Sequence, residues 1–406
     1  MGINAPRLLS RIARLAEIGA IPGGGCCRLA LSEEDRQGRD LVVGWMRDLG
    51  LAIHIDPIGN VFATRAGRRD LPPVITGSHI DTVRTGGRYD GNLGVLAGLE
   101  VVERLNEAGI ETERPLVVAF FTNEEGARFH PDMMGSLVHV GGLDPAQALA
   151  ARGIDGAVLG DCLAAIGYRG STWFPRAAHA FVELHVEQGP VLEREGITIG
   201  AVEGVQGISW SEYTISGTSN HAGTTPMRLR HDAGYVAAEV AGFVRRLARE
   251  LGGDQVGTVG ALELRPNLIN VIPHTAVFTV DLRNTDEAVL QAAEARLDAF
   301  VTQTAAAEGC TAARRSLARF EPVAFDPAMV ARVERLAASH GRSVRRMPSG
   351  AGHDAQMLAR VCPAAMIFVP SAGGISHNVR EFTSEADIAA GADILFDLLL
   401  ELAMES

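Results

Sequence analysis

The chain has 406 residues, 47% of them hydrophobic, 21% charged and 5% aromatic, with a formal charge of −12 at pH 7. A length above the roughly 250–300 residues at which single cores stop growing points to two domains, and the composition is that of a globular protein rather than a disordered or fibrous one. The acidic excess speaks against nucleic acid or an anionic membrane surface as a partner.

The N-terminal stretch MGINAPRLLSRIARLAEIGA spaces apolar residues and Arg as a helix does and lacks the apolar core of a secretory signal. No segment approaches the roughly 18 uninterrupted apolar residues of a membrane span. The most apolar one, residues 361–375, is broken by Pro and Gly. A cytoplasmic location is the default expectation. Residues 32–49 read as a helix with Ser32 as its cap and Gly50 as its stop, and LAIHIDPIGNVFATRAG then reads as a hairpin in which His54 is a structural strand residue.

Residues 74–78 form a short apolar strand. The helix starting near Gly91 carries Leu96, Leu99, Val102 and Leu105 on one face, and PLVVAFFT is a β-rich run of the kind buried on both sides of a largely parallel sheet. Strand, helix, strand is an α/β signature, and in such sheets functional residues gather where strands end. Residues 133–172 predict helices and loops without assigned chemistry, and FVELH is a further strand. From Trp210 the texture changes to strand, Gly- and His-rich turn, long helix, strands and a second helix. This predicts a compact α+β insert with its helices on one face of an antiparallel sheet. The expected division is a discontinuous catalytic domain, 1–206 and 318–406, around an inserted domain, 207–317. Asp326 with Pro327 opens a helix, residues 361–369 form an apolar strand, and Ser384 with Asp387 caps a C-terminal helix.

The five cysteines, Cys26, Cys27, Cys162, Cys310 and Cys362, are scattered and include no CxxC pair, which excludes a thiolate zinc site and a disulfide framework. Any metal must therefore use His and carboxylate. TGSHIDTVRTGGRYDGNLGV runs an apolar strand into His79 and Asp81 and then, through a glycine turn, delivers Asp90 at the start of a helix. Imidazole and carboxylate on two rigid elements suit a borderline ion such as zinc. Glu124, Glu125, His185 and His377 also follow strands, and one parallel sheet would bring all of these to one edge.

Asp81, two residues past His79, is placed to turn back to the ring nitrogen that faces away from a metal. Of the adjacent Glu124 and Glu125, one can bind metal while the other moves protons; spacing does not say which. His221, among small residues in SNHAGTTPM, is equally compatible with helix capping and a site role. Arg283 ends an apolar strand, where Arg commonly recognises a carboxylate, and Asn270 is ambiguous. His353 and Asp354 in SGAGHDA read as structural or near the substrate. There is no GxSxG elbow and no GxxxxGK[ST] loop.

Together GSHIDTVRTGGRYDGNLG, TNEEGARF, HVEQGP, SNHAGTTPM, NVIP with DLR, SGAGHDA and SHN resemble the di-zinc amidohydrolases of the N-carbamoyl-L-amino-acid hydrolase and allantoate amidohydrolase group, within the aminoacylase-like metallopeptidases. The resemblance spans almost the whole chain. It implies an α/β catalytic domain with a mostly parallel central sheet flanked by helices, and a smaller ferredoxin-like α+β insert serving as lid and dimerisation domain. It implies two divalent ions, zinc first, with manganese, cobalt or nickel also compatible. One would be held by His79, Asp90 and His185 and the other by Asp90, Glu125 and His377, with Asp90 bridging. Glu124 becomes the general base, Asp81 supports His79, and His221 becomes a donor to the oxyanion. Gln188, His221, Asn270, Arg283 and the backbone at Gly352 become substrate contacts, Arg283 and Asn270 clamping a carboxylate.

The resemblance also implies a homodimer joined through the insert, and leaves open whether His221 acts in its own site or in the partner's. Trp210 stands where allantoate hydrolases tend to carry Arg, which favours an N-carbamoyl-L-amino acid as substrate. Allantoate or ureidoglycolate hydrolysis, β-ureidopropionase and N-acyl amino acid deacylase activity stay open. A non-catalytic binder of ureido compounds is the reading from another class, and the loss of Glu124 or of a metal ligand would favour it.

Overall fold

A computed structural model describes residues 2–406. The chain divides into two compact units, a larger one that closes at Gly204 and resumes at Ala324, and a smaller one, Val205–Val323. The smaller unit runs past residue 317 because the strand Thr311–Phe320 pairs with Gly207–Ser216 as far as Phe320 opposite Ile208.

The larger unit is built on a nine-stranded mixed sheet. Its centre is four parallel strands in the order Leu116–Phe121, Val74–His79, Ala180–Val186 and Ala364–Val369. Antiparallel strands flank them: Val61–Arg65 and Ala52–Ile55 on one side and Ile199–Val205 on the other. The expectation of a mostly parallel sheet therefore holds only for the centre. The parallel pair Val74–His79 and Leu116–Phe121 is joined through the helix Asn92–Glu107, whereas the short turn after Ile55 can only return its strand antiparallel. Every residue of LVVAFF is buried, and each large apolar side chain removed from water there contributes roughly 1.5–3 kcal/mol.

Helix ends follow their local chemistry. Ser32 and Ser384 accept from the amides of Asp35 and Asp387, and Asp326 caps Pro327–Ser339 with Pro in the first position. The helix Asn92–Glu107 packs on the central strands and on Glu385–Met404. His54 is structural, its Nε2 2.8 Å from the Thr172 carbonyl oxygen. All five cysteines are free. Among the described residues no helix is long and apolar enough to cross a membrane.

The smaller unit folds in the chain order strand, helix, two strands, helix, strand, a split βαβ arrangement. Its four strands, spatially Val256–Arg265, Thr275–Asn284, Gly207–Ser216 and Thr311–Phe320, are antiparallel throughout. The helices Ala233–Leu251 and Glu287–Ala307 bury Val236, Val240, Leu290 and Leu297 in one core with Phe278 and Ile215 of the sheet.

Candidate metal centre

Because the four central strands run parallel, their C-terminal ends share one edge, and that edge carries a cluster of histidines and carboxylates. His79 is the last residue of its strand and His185 the second to last of its own; both rings are buried. His79 Nδ1 lies 2.9 Å from the Asp81 carbonyl oxygen, and His185 Nδ1 lies 2.8 Å from that of Val186. A carbonyl only accepts, so each Nδ1 carries the proton and each Nε2 presents its lone pair to the centre. The support expected from the Asp81 side chain comes instead from its main chain. The Asp81 carboxylate points the other way and accepts from the amides of Glu124 and Glu125, both at 3.3 Å, because the two turns lie side by side there.

Asp90 sits at the middle. Its Oδ1 is 3.2 Å from His185 Nε2 and 3.6 Å from His79 Nε2, and its Oδ2 is 3.4 Å from His377 Nε2. His377 Nε2 is also 3.2 Å from Glu125 Oε2. Two donor sets result, His79, Asp90, His185 and Asp90, Glu125, His377, each with ligand atoms within 4.8 Å of one another and sharing Asp90 through different oxygens. Imidazole nitrogens and carboxylate oxygens at this spacing fit two borderline divalent ions.

The backbone is shaped to the same end. Gly91 has φ +67°, and a Cβ there would stand 2.4 Å from His79 Cε1 and Nε2, so any side chain would displace the ring. Asn123, Gln188 and His377 are non-glycine residues with φ of 56°, 58° and 53°. Such backbone is uncommon and persists where neighbouring contacts enforce it. Asn123 is held by its Nδ2, which donates to the carbonyls of Phe129 and Pro131 at 2.9 and 3.1 Å; the Gln188 amide donates to Ser371 Oγ at 3.0 Å.

The electrostatics separate the carboxyls. Burial opposes ionisation of Asp90, but hydrogen bonds with His185, His377 and His79 outweigh it and hold the carboxyl well below its usual range. Asp90 also immediately precedes the positive end of the helix Asn92–Glu107. Burial pushes Glu124 well above the usual range; His79, at 3.4 Å from Glu124 Oε2, counteracts, and the charges of Asp354, Glu125 and Asp90 add to the push. His377 is pushed up to about 10 by its hydrogen bonds with Asp90 and Glu125. Converging carboxylates thus draw positive charge to the centre.

Gln188 joins this cluster, its Nε2 donating to Asp90 Oδ2 at 3.0 Å, while its buried Oε1 has no partner among the described residues. Gly352 adjoins the buried His353, whose Nε2 is 2.9 Å from Ser349 Oγ and whose ring meets His185 edge-on at 4.5 Å. His353 therefore packs against His185, and with Glu183 it forms a further buried His and carboxylate group around that ring. Ser376, not anticipated from sequence, donates to Asp90 Oδ2 at 3.3 Å; only its place before His377 could have marked it.

His221, Asn270 and Arg283 belong to the smaller unit. His221 Nδ1 accepts from the amides of Gly223 and Thr224 at 3.0 and 3.2 Å, which leaves Nε2 as the donor. The Ala222 amide donates to the Asn270 carbonyl at 2.9 Å, so these two turns are neighbours. Arg283 donates to Asp281 at 2.9 Å and stands 5.8 Å from the Trp210 ring, Trp210 and Asp281 being cross-strand partners. The strand-end Arg does grip a carboxylate, that of its own strand.

Comparison with known proteins gives this geometry a lineage. The chain is 42% identical over 403 residues to an N-carbamoyl-L-amino-acid amidohydrolase of Rhizobium meliloti, covering 99% of this chain and 97% of that one. It is 36% identical to an allantoate amidohydrolase of Bacillus subtilis, covering 96% and 95%. A crystal structure of a hydantoinase/carbamoylase family amidase from Burkholderia multivorans superposes with a TM-score of 0.96 at 45% identity, covering 100% and 99%. The model of Peptidase family M20/M25/M40 matches residues 75–401, a span that includes every group of the cluster, and the chain belongs to that family.

Proposed function

We propose that this protein is a metal-dependent amidohydrolase that cleaves the linear C–N bond of N-carbamoyl-L-amino acids, releasing the amino acid, carbon dioxide and ammonia. The observation that carries the reading is the meeting of two donor sets on the two oxygens of Asp90, with Glu124 beside them. Full-length identity of 39–42% to N-carbamoyl-L-amino-acid amidohydrolases supports the substrate. When bound, two divalent cations, zinc by preference, supply Lewis acidity to a water and to the substrate carbonyl.

The chain's own residues do the rest. Glu124, whose raised proton affinity suits the task, takes the proton of the attacking water and returns it to the leaving amino-acid nitrogen. The carbamic acid left behind breaks down to carbon dioxide and ammonia. Gln188 Oε1, buried and unpartnered among the described residues, suits a ureido N–H. His221, with Nε2 as donor, suits the tetrahedral oxyanion, and removing such a donor typically costs roughly 100- to 1000-fold in rate. Arg283 and Asn270 suit the substrate carboxylate, and the neutral indole of Trp210 beside Arg283 favours a carbamoyl amino acid over allantoate.

A panel of N-carbamoyl-L-amino acids, N-acyl amino acids, allantoate and ureidoglycolate, read by ammonia and amino-acid release, tests this. Carbamoyl substrates are expected to turn over, a chelator to stop turnover and zinc or manganese to restore it. Turnover confined to allantoate overturns the substrate, and turnover indifferent to chelation overturns the mechanism. The smaller unit is proposed as the lid and the dimer contact. Light scattering is then expected to give twice the 43.0 kDa of one chain, and a monomer across a wide concentration range excludes it.

A further inference from the structure

Two loops meet over Asp90. The turn of residues 85–90 brings the carboxylate in from one side, and residues 376–381 bring Ser376 and His377 from the other. They are joined at both ends: Thr85 Oγ1 donates to the His377 carbonyl at 3.4 Å, and Glu381 Oε1 accepts from the amides of Tyr89 and Asp90 at 2.9 and 3.2 Å. Glu381 is 5% exposed, and its Oε2 has no partner among the described residues. Its own amide donates to the Asn378 carbonyl, closing the turn that presents His377. Gly87 leaves the room: a Cβ there would fall 2.2 Å from Glu381 Oε1 and 2.4 Å from Glu381 Cβ.

A buried carboxylate is costly to place, and one spent on two main-chain amides implies that their position matters. From this geometry we infer that Glu381 is a positioning residue that fixes the main chain of Asp90 against the His377 loop and so couples the two metal positions. The inference rests on the metal-centre reading above. Glu381 supplies no ligand atom to either donor set; it acts through the main chain of Asp90, which belongs to both, and through the turn that carries a ligand of one.

Zinc affinity, measured by competition with a chromophoric chelator, is the readout, and it does not depend on turnover. Glu381→Ala is expected to weaken both zinc equivalents by roughly 10- to 100-fold, the usual effect of losing a group that orients metal ligands. Glu381→Gln, which keeps an amide oxygen able to accept from both N–H groups, is expected to restore wild-type affinity for both. A merely structural role would lower the melting temperature of Glu381→Ala and leave zinc affinity alone. Two equivalents bound at wild-type affinity by Glu381→Ala, or weakening of one alone, overturns the inference. Should Glu381→Ala not fold, Gly87→Ala decides: it keeps Glu381 but pushes it aside, so weakened binding supports the inference and wild-type affinity overturns it. A wild-type chain that takes up no zinc overturns the metal-centre reading and this inference with it, whereas a normal wild type beside an unaffected Glu381→Ala overturns the inference alone.

Discussion

Asp90→Ala is expected to lose both metals and all measurable turnover. Most ligand substitutions in a two-metal site remove one donor from one ion. Here Oδ1 faces His79 and His185 and Oδ2 faces His377, so a single truncation takes a donor from each set. It also leaves Glu125 facing His377 without the carboxylate that completes that set. Loss of a direct ligand exceeds the roughly 10- to 100-fold effect of losing an outer partner, so affinity at each position falls by more than that. Metal content by plasma mass spectrometry checks this, with His377→Ala as the contrast that disturbs only the second set. Full retention of either ion in Asp90→Ala shows the bridging assignment to be wrong.

Glu124→Gln separates chemistry from metal binding. The substitution keeps size and shape, removes the base, and is expected to lower kcat by roughly 100- to 10,000-fold with metal content and melting temperature held. Glu124 belongs to neither donor set; its nearest ring is His79, while Glu125 contacts His377. Glu125→Gln is accordingly expected to lose metal from the second set. A Glu124→Gln enzyme within tenfold of wild type would falsify the base assignment, and one that loses metal would make Glu124 a ligand.

Much of this was legible in the chain because the relevant signals are local. Apolar runs that end in His or lead on into acids, as at VITGSH and LVVAFFTNEE, mark strand ends, and Ser32, Asp326 and Ser384 announce helices through capping chemistry. Adjacency of Glu124 and Glu125 says that they diverge but not which meets His377; the family resemblance points to Glu125, which the fold brings within 3.2 Å. What stayed hidden depends on contacts between distant residues. Glu381 lies 291 positions from Asp90 in an unremarkable loop, and nothing in SHNVREF separates it from a solvated acid. That His79 is held by the Asp81 carbonyl and not by its carboxylate is invisible in spacing, which cannot tell a side chain from its own main chain. The antiparallel flanks of the sheet follow from pairing choices that strand propensity leaves open.

The sheet order has a consequence for biosynthesis. The strand Ala180–Val186 pairs directly with Val74–His79, so a nascent chain that has exposed residue 186 contains both strands, with His79 and His185, and the intervening turn that carries Asp90. The second set waits for His377, which follows the strand Ala364–Val369 and emerges only after the whole smaller unit has been made. At roughly 5–20 residues per second, about ten to forty seconds of translation separate the two events. One donor set is thus complete before the smaller unit is made, the other only after it.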